Sequence, residues 1–271
     1  MSAALDNTAS EPVEVINREG TGPVVLLCEH ASHHIPDRYN GLGLAPQDRR
    51  SHAAWDPGAF GVARVLSSLL NAPLVASRVS RLVYDCNRPP EAASAMPVRS
   101  EAIDVPGNHD LSPDQRTERE ITVYRPFCDA VGEVLDGRRV NQSPTALVTV
   151  HSFTPVFHGR TRDVEIGILH DTDTRVADAM LDHATTLPHR RVDRNEPYGP
   201  SDGVTHSLRL HGLENGLANV MIEVRNDLIR TETEQQAMAD LLSGWLTAAL
   251  PSLAVTQCKG GCGAIFAAWM P

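Results

Sequence analysis

The sequence lacks any apolar run long enough to cross a membrane. A spanning helix needs roughly 18 or more apolar residues in succession, and no segment of the 271-residue chain reaches that length. The first 20 residues carry four acidic side chains and no apolar stretch, so we expect no secretory signal there. We therefore predict a cytoplasmic protein that does not use a membrane as a partner.

Positive charge and cysteine are also scarce. The chain has 24 Lys and Arg residues against 34 Asp and Glu residues, which gives a formal net charge of -10 and argues against nucleic acid as a partner. The five cysteines are an odd number at scattered positions, unlike a disulfide framework. With 41% hydrophobic and 21% charged residues, the composition is that of a globular protein in a reducing compartment.

Glycine-rich phosphate loops are missing as well. The chain contains neither a Gly-x-Gly-x-x-Gly fingerprint nor a Walker loop, which weakens dinucleotide-binding and P-loop interpretations. Histidine, in contrast, is abundant, with 12 residues. Because a neutral imidazole is the commonest metal ligand in proteins, this abundance favours a search for metal-binding positions.

Short apolar runs of strand length alternate with helical patterns along the chain. These runs cover residues 23–28, 74–76, 82–84, 146–150, 164–169 and 219–224. They are continuous rather than alternating, which is typical of strands buried on both faces. The pattern predicts an α/β fold in which helices flank a mixed, mostly parallel central sheet.

Several residues mark where helices should begin or bend. Capping-box spacing at Ser112 and Thr231 predicts a helix after each, and Asp56-Pro57 predicts a third helix with Asp56 as its N-cap. Pro126 should kink or split the helix that follows Ser112.

The ends of the chain differ in character from its middle. We predict an arm over residues 1–20, a single α/β domain over residues 21–252 and a tail over residues 253–271. Cys258 and Cys262 in the tail have the look of half a zinc site, but a structural zinc needs four ligands, so a frayed terminus is the preferred interpretation.

Polar residues follow or interrupt the predicted strands at sites where open α/β sheets bind ligands. Glu29 and His30 end the first run, and His151 ends the run 146–150. Two imidazoles at separate strand ends can be two ligands of one zinc, with a carboxylate and a water completing an open catalytic site. For either histidine alone, an ordinary hydrogen-bonded side chain is the alternative.

Glu223 interrupts an apolar strand, where an unpaired carboxylate is costly to bury. It is either half of a structural ion pair, with Arg225 or with another arginine, or a general acid or base whose pKa is raised by burial. Arg88 is either a fork for a substrate carboxylate or an exposed loop residue. Asp56 is either the N-cap or a ligand in the site.

Five segments, in order along the chain, together resemble the N-formylglutamate amidohydrolase family. They are Cys28-Glu29-His30-Ala31-Ser32 with Ile35-Pro36; Ala54-Trp55-Asp56-Pro57-Gly58-Ala59; Arg81-Leu82-Val83-Tyr84-Asp85-Cys86-Asn87-Arg88-Pro89; His151-Ser152-Phe153; and Ile222-Glu223-Val224-Arg225-Asn226-Asp227-Leu228-Ile229. The resemblance implies a three-layer, phosphorylase/hydrolase-like α/β fold, related to those of zinc carboxypeptidases and aspartoacylase-like deacylases.

The resemblance also implies one catalytic Zn²⁺ per chain, held by His30, Asp56 and His151. In the carboxypeptidase pattern His-x-x-Glu, this chain has His33 in place of the glutamate. Asp56 is therefore our first choice for the carboxylate ligand, and Glu29 and His33 are the lesser candidates.

The remaining roles follow from the same resemblance. Glu223 would be the general base that acts on the water, and Arg225 a contact to the substrate or the transition state. A larger set would bind the carboxylate of a small-molecule substrate: Asn87, Arg88, Arg81 and Ser152.

The implied reaction is hydrolysis of the amide bond of an N-formyl or other N-acyl amino acid such as N-formylglutamate. One alternative is a zinc deacylase or carboxypeptidase-like hydrolase of another acylated amino acid or small peptide. A second alternative, favoured only by the departure at His33, is a non-catalytic protein that binds an acidic metabolite.

Overall fold

The structure, a computed structural model, describes residues 11–185 and 190–258, with side chains as far as residue 251. The strands are β1 (Val13–Ile16), β2 (Val24–Cys28), β3 (Leu74–Ser77), β4 (Arg99–Ser100), β5 (Ile103–Asp104), β6 (Ala146–Phe153), β7 (Val156–Phe157), β8 (Arg160–Thr161), β9 (Ile166–Leu169), β10 (Val192–Arg194) and β11 (Ala218–Arg225). The α-helices are α1 (Ala59–Leu69), α2 (Pro113–Arg119), α3 (Arg125–Val140), α4 (Arg175–Ala184) and α5 (Glu232–Cys258).

A seven-stranded mixed sheet forms the centre of the molecule, in the order β1-β3-β2-β6-β11-β9-β10. The four strands β3, β2, β6 and β11 run parallel, so their carboxyl ends meet at one edge of the sheet. Strand β1 pairs antiparallel with β3, and β9 pairs antiparallel with β11. The predicted α/β class with a mostly parallel sheet is therefore confirmed, and residues 13–16, within the expected arm, form the edge strand.

Two helical layers cover the sheet because its inner strands are apolar on both faces. In β2, Val24, Leu26 and Cys28 pack in one core with α1, α4 and α5. Val25 and Leu27 pack in a second core with α3, on the opposite face. Each fully buried aliphatic side chain of this kind contributes about 1.5–3 kcal/mol relative to an exposed one. The chain thus has three layers, helix on sheet on helix.

The two predicted capping boxes are present. The Ser112 hydroxyl accepts a hydrogen bond from the Gln115 backbone N–H, and the Gln115 side chain accepts one from the Ser112 N–H. Thr231 and Glu234 make the same reciprocal pair at the start of α5. The predicted split near Pro126 is also confirmed, since a π-helical turn over Glu120–Tyr124 separates α2 from α3.

One predicted strand is wrong. Residues 82 and 83 lie in a turn and residue 84 is irregular, because Ser80 supplies local partners for the backbone. Its hydroxyl accepts from the Leu82 N–H at 3.2 Å, and its carbonyl accepts from the Val83 N–H at 2.9 Å. Such local bonds compete with the bonds of a sheet.

Asp56 is not an N-cap. Helix α1 begins at Ala59 after Gly58, whose φ of 84° lies in the left-handed region. A Cβ at position 58 would also lie 2.4 Å from the Ile229 carbonyl oxygen, so glycine is required there twice over. The Asp56 side chain is thereby free to point elsewhere.

None of the described helices is both long and apolar enough to cross a membrane. Helix α5 continues through residues 253–258, the start of the predicted tail, and Cys262 lies outside the described residues.

Candidate active site

The carboxyl edge of the parallel strands brings the predicted site residues together. His30 follows the last residue of β2 by two positions, and His151 lies near the end of β6. Glu223 of β11 is the direct register partner of His151. These three side chains come from three neighbouring parallel strands, which is why residues far apart in sequence meet at one point.

Three donor atoms converge at the bottom of this edge. His30 Nδ1 lies 3.1 Å from Asp56 Oδ2, His151 Nδ1 lies 2.9 Å from the same oxygen, and the two Nδ1 atoms lie 3.2 Å apart. Ligand atoms about 2.0–2.1 Å from a tetrahedral zinc are about 3.3 Å from one another. The spacing of the three donors therefore fits a small divalent cation, and Asp56 is the carboxylate that completes the set.

A second carboxylate stands behind each imidazole. His30 Nε2 lies 2.7 Å from Asp85 Oδ1, and His151 Nε2 lies 3.2 Å from Glu29 Oε2. A carboxylate at Nε2 favours the tautomer with its proton there, which leaves the Nδ1 lone pair facing the other donors. Glu29 therefore lies behind His151 and is not a member of the converging donor set.

The carboxylates of Asp56, Asp85 and Glu29 give this cluster a strong preference for positive charge. Burial opposes the ionisation of Asp56, but His30, His151 and Arg81 outweigh it and hold its pKa well below the usual range. Burial likewise opposes protonation of His151, but Glu29 and Asp56 raise its pKa well above the ordinary value. A proton or a metal ion can supply the charge, and two imidazoles with a carboxylate are a donor set that zinc prefers.

Glu223 stands beside the donor cluster without a hydrogen bond to its Oε2 atom among the described residues. Burial raises its pKa to about 7, and repulsion by Asp56 adds to the effect while the attraction of His151 opposes it. A carboxyl group that titrates near neutral pH can accept and return a proton, as a general base requires.

The site opens into a cavity of about 240 Å³. The donors and Glu223 line its bottom, and the residues around its opening include His52, Arg88, Glu101 and Tyr198. His52 Nε2 pairs with Glu101 Oε1 at 2.8 Å. The volume suits a small molecule held over the donor cluster.

The model of the N-formylglutamate amidohydrolase family matches residues 22–230. The chain belongs to this family. No curated protein sequence matches the chain significantly.

Two solved structures share the family's fold with this chain. A gene product of Agrobacterium tumefaciens is 55% identical, with a TM-score of 0.88 over 90% of this chain and 96% of its own. An N-formylglutamate amidohydrolase from Ralstonia eutropha JMP134 is 17% identical, with a TM-score of 0.66 over 93% of this chain and all of its own. The second likeness speaks for the fold alone.

Of the two family arginines in the cavity, only Arg88 is free of ion pairs among the described residues. Its Nη1 donates to the Asn87 carbonyl at 2.8 Å, which leaves the rest of the guanidinium for a ligand. Arg81 instead contacts Asp56 Oδ1 at 3.1 Å and Asp85 Oδ2 at 3.5 Å. Arg81 thus braces the carboxylates of the donor cluster.

Asn87 and Ser152 line the cavity but are already bonded to the protein. The Asn87 amide donates to the Val204 carbonyl at 2.6 Å and accepts from the Ser207 N–H at 2.9 Å, so it fixes the segment 204–207. The Ser152 hydroxyl donates to the Pro57 carbonyl at 2.8 Å. Its backbone N–H points to Asp56 Oδ2 at 3.3 Å.

Arg225 does not line the cavity, and neither do the lesser ligand candidates Glu29 and His33. The Arg225 Nε donates to Asp227 Oδ1 at 2.7 Å, and its Nη1 donates to the carbonyl of Arg162 at 3.2 Å. Among the described residues, loop acceptors take up much of its guanidinium and no ion pair with Glu223 is formed, while its contact to a substrate stays a prediction.

Four residues at the site have no role that the sequence pattern indicates: Asp85, His52, Glu101 and Tyr198. Asp85 lies two residues before Asn87, and in the sequence only its place in the segment 81–89 distinguishes it. His52, Glu101 and Tyr198 reach the cavity from irregular segments, where periodicity gives no signal. Glu101 has a φ of 52°, an uncommon conformation for a residue other than glycine.

A Gly-x-Ser-x-Gly spacing does occur, at residues 199–203. Ser201 is exposed in a 3₁₀ turn over Pro200–Asp202, whereas a nucleophile elbow places its serine between a strand and a helix. The segment 199–203 is therefore not a nucleophile elbow, and Ser201 is not placed as a catalytic nucleophile would be. Burial raises the pKa of Cys28 and of Cys86, which leaves both thiols protonated and poor nucleophiles.

Proposed function

We propose that the protein hydrolyses the amide bond of an N-formyl amino acid, with N-formylglutamate as the first substrate to test, and that it uses one zinc ion per chain. Membership of the amidohydrolase family gives the reaction class. The single observation that carries the proposal is the convergence of His30, Asp56 and His151 beside a buried Glu223 in one small cavity.

The donor set His30, Asp56 and His151 would hold the zinc. When bound, a zinc ion supplies Lewis acidity, which polarises a carbonyl and makes a water molecule easier to deprotonate. Asp85 and Glu29 keep the two imidazoles oriented, so the donors need little rearrangement on binding.

Glu223 does the work of proton transfer in this proposal. Its carboxylate accepts the proton of the attacking water and returns it to the nitrogen of the leaving amino acid. A pKa near 7 suits both steps, because the group must be a base in the first and an acid in the second.

Arg88 orients the substrate. Its guanidinium has no carboxylate partner among the described residues, so it can bind the α-carboxylate of an N-formyl amino acid through paired hydrogen bonds. We accordingly propose a small-molecule carboxylate as the ligand, with no role for nucleic acid or membrane, and a cytoplasmic site of action.

The first experiment is to measure formate release from N-formyl-L-glutamate, with and without a chelator, together with elemental analysis for zinc. Chelator-sensitive release with about one zinc per chain supports the proposal. Glu223→Gln is the matched control, because it keeps the volume of the side chain and removes the base.

Two other results would redirect the assignment. Bound zinc with no formate release, but with release of another acid from N-acetyl or longer N-acyl amino acids, would point to a deacylase of a different substrate. Binding of acidic amino acids with no hydrolysis of any acyl derivative would contradict an enzymatic function and favour the binding protein.

A further inference from the structure

A second cavity, of about 470 Å³, lies in the segment between β2 and α1. It shares no lining residue with the active-site cavity. Its wall is rich in basic side chains: His33, His34, Arg49 and Arg50 line it together with a single acidic residue, Asp37.

The two arginines of this second cavity outnumber its one carboxylate, that of Asp37. Among the described residues, no carboxylate lies within ion-pair distance of Arg49 or Arg50, and this is so in a chain whose formal net charge is -10. Partial burial, followed by the charges of Arg50 and His34, lowers the pKa of His33. Basic groups that outnumber the carboxylates in a concave site favour an anion from solution.

Arg49 is held in place for such a role. Its Nε donates to the Leu44 carbonyl at 2.9 Å, and its guanidinium packs against Gly41. A Cβ at position 41 would lie 2.3 Å from Arg49 Cζ, and the φ of 59° there is itself a conformation that favours glycine. The terminal amino groups of Arg49 have no acceptor in the described part of the chain, so a fixed fork is available to a ligand.

We propose that this second cavity binds a phosphate-type dianion, either free phosphate or the phosphoryl group of a small molecule. Two arginine forks and two imidazoles offer more donors than one carboxylate can accept, whereas a phosphoryl group presents three oxygens and close to two negative charges. A single oxyanion can thus accept hydrogen bonds from both arginines.

The two cavities are connected through the chain between Arg49 and Asp56. The segment that carries Arg49 and Arg50 on one wall continues to His52 and then to Asp56, which line the other cavity. The Trp55 ring packs on His33 with ring centroids 5.0 Å apart, and its Nε1 donates to the Arg50 carbonyl at 3.2 Å. A bound anion would brace the stretch of chain that ends at the proposed carboxylate ligand.

The test is calorimetric titration of the full-length protein with inorganic phosphate, at ionic strength held constant with chloride. Arg50→Gln removes one fork and should weaken phosphate binding about tenfold or more, since hydrogen bonds to charged groups are the strong ones. Arg64→Gln is the matched control: Arg64 is exposed on α1, on the opposite face of the sheet, and the charge change is the same. Phosphate affinity should be unchanged in this control.

A third variant separates the two cavities. Arg88→Gln should leave phosphate binding unchanged if the ion sits in the second cavity, and loss of binding in Arg88→Gln but not in Arg50→Gln would overturn the proposal. So would the absence of saturable binding, an equal loss in Arg64→Gln, or tighter binding of succinate than of phosphate. The proposal does not rest on the hydrolytic function. Formate release by Arg50→Gln is measured independently of phosphate binding, so the two proposals can fail separately.

Discussion

The floor and the rim of the active-site cavity are built on different principles. The floor consists of His30, Asp56, His151 and Glu223, and the carboxylates of Asp85 and Glu29 lie behind the two imidazoles. All six residues are buried. The rim consists of His52, Glu101, Arg88 and Tyr198. The rim is more exposed: the paired side chains of His52 and Glu101 are 37% and 26% accessible to solvent.

From this difference we expect the floor to carry the reaction and the rim to determine which substrates bind. On the floor each imidazole has a carboxylate within 3.2 Å of each ring nitrogen, and the low local dielectric strengthens every charge interaction there. On the rim, solvent screens the His52–Glu101 pair, which by itself contributes little to stability. We therefore expect substitutions on the floor to abolish function and those on the rim to change which substrates are accepted.

The largest effect should follow from His151→Ala. Loss of one of three donors should remove the metal and reduce formate release to background, because Asp56 and His30 alone leave an incomplete coordination sphere. Elemental analysis and activity measure the two losses. His109→Ala, which removes an exposed histidine paired with Asp104, is the control; full metal occupancy in His151→Ala would show that the ligand assignment is wrong.

Glu223→Gln should come next. It should keep the metal and the melting temperature but lower kcat by about 10²- to 10⁴-fold, the range that general-base catalysis contributes. Steady-state kinetics with elemental analysis of the same samples separates the two properties. An unchanged kcat would remove Glu223 from the mechanism.

Glu29→Gln tests the outer part of the floor. We expect metal affinity to fall about 10- to 100-fold, because the amide no longer holds the proton on His151 Nε2. Competition with a metal-sensitive dye measures the affinity. Asp104→Asn changes a carboxylate beside an exposed histidine and should have no effect; equal losses in the two variants would contradict a positioning role for Glu29.

On the rim, Arg88→Gln should raise KM for N-formyl amino acids about tenfold while kcat changes little, because the arginine binds a group that does not react. The corresponding N-formyl amino acid amides, which lack the carboxylate, should be insensitive to the substitution. A drop in kcat with constant KM would instead assign Arg88 to the transition state.

The smallest effect concerns His211, a buried residue near Glu29 whose pKa is lowered by burial to about 4. It is neutral in the folded protein and binds a proton near pH 6.5 when unfolded, so the free energy of unfolding should fall by about 2 kcal/mol between pH 7.5 and 5 on its account. Urea denaturation of His211→Asn should show a shallower pH dependence over that range. The same slope in variant and parent would contradict a buried neutral histidine.

The contrast between floor and rim also explains what the sequence could predict. His30, His151 and Glu223 follow or interrupt apolar runs, and parallel pairing then forces them to one edge whatever the loops do. Asp56 was ambiguous from sequence, and its role depends on Gly58 taking over the start of α1.

The errors have an equally local cause. Residues 82–84 are apolar enough for a strand, but the Ser80 side chain offers their backbone a closer partner. Arg225 lies two residues from Glu223 on the same strand, but the ion pair between them is not formed, because the Arg225 guanidinium donates to Asp227 at the strand end. Tyr198 and Glu101 depend on the path of irregular segments, which no periodic pattern describes.

The pairing of Glu223 with His151 has a consequence for how the protein is made. During synthesis the chain emerges from its N-terminus, so β2, α1 and β6 can gather His30, Asp56 and His151 before β11 exists. The carboxylate proposed as the general base arrives only when β11 docks beside β6. The proposed metal donors are thus encoded ahead of the proposed base, so a nascent chain can assemble the donor set before the proposed base is in place.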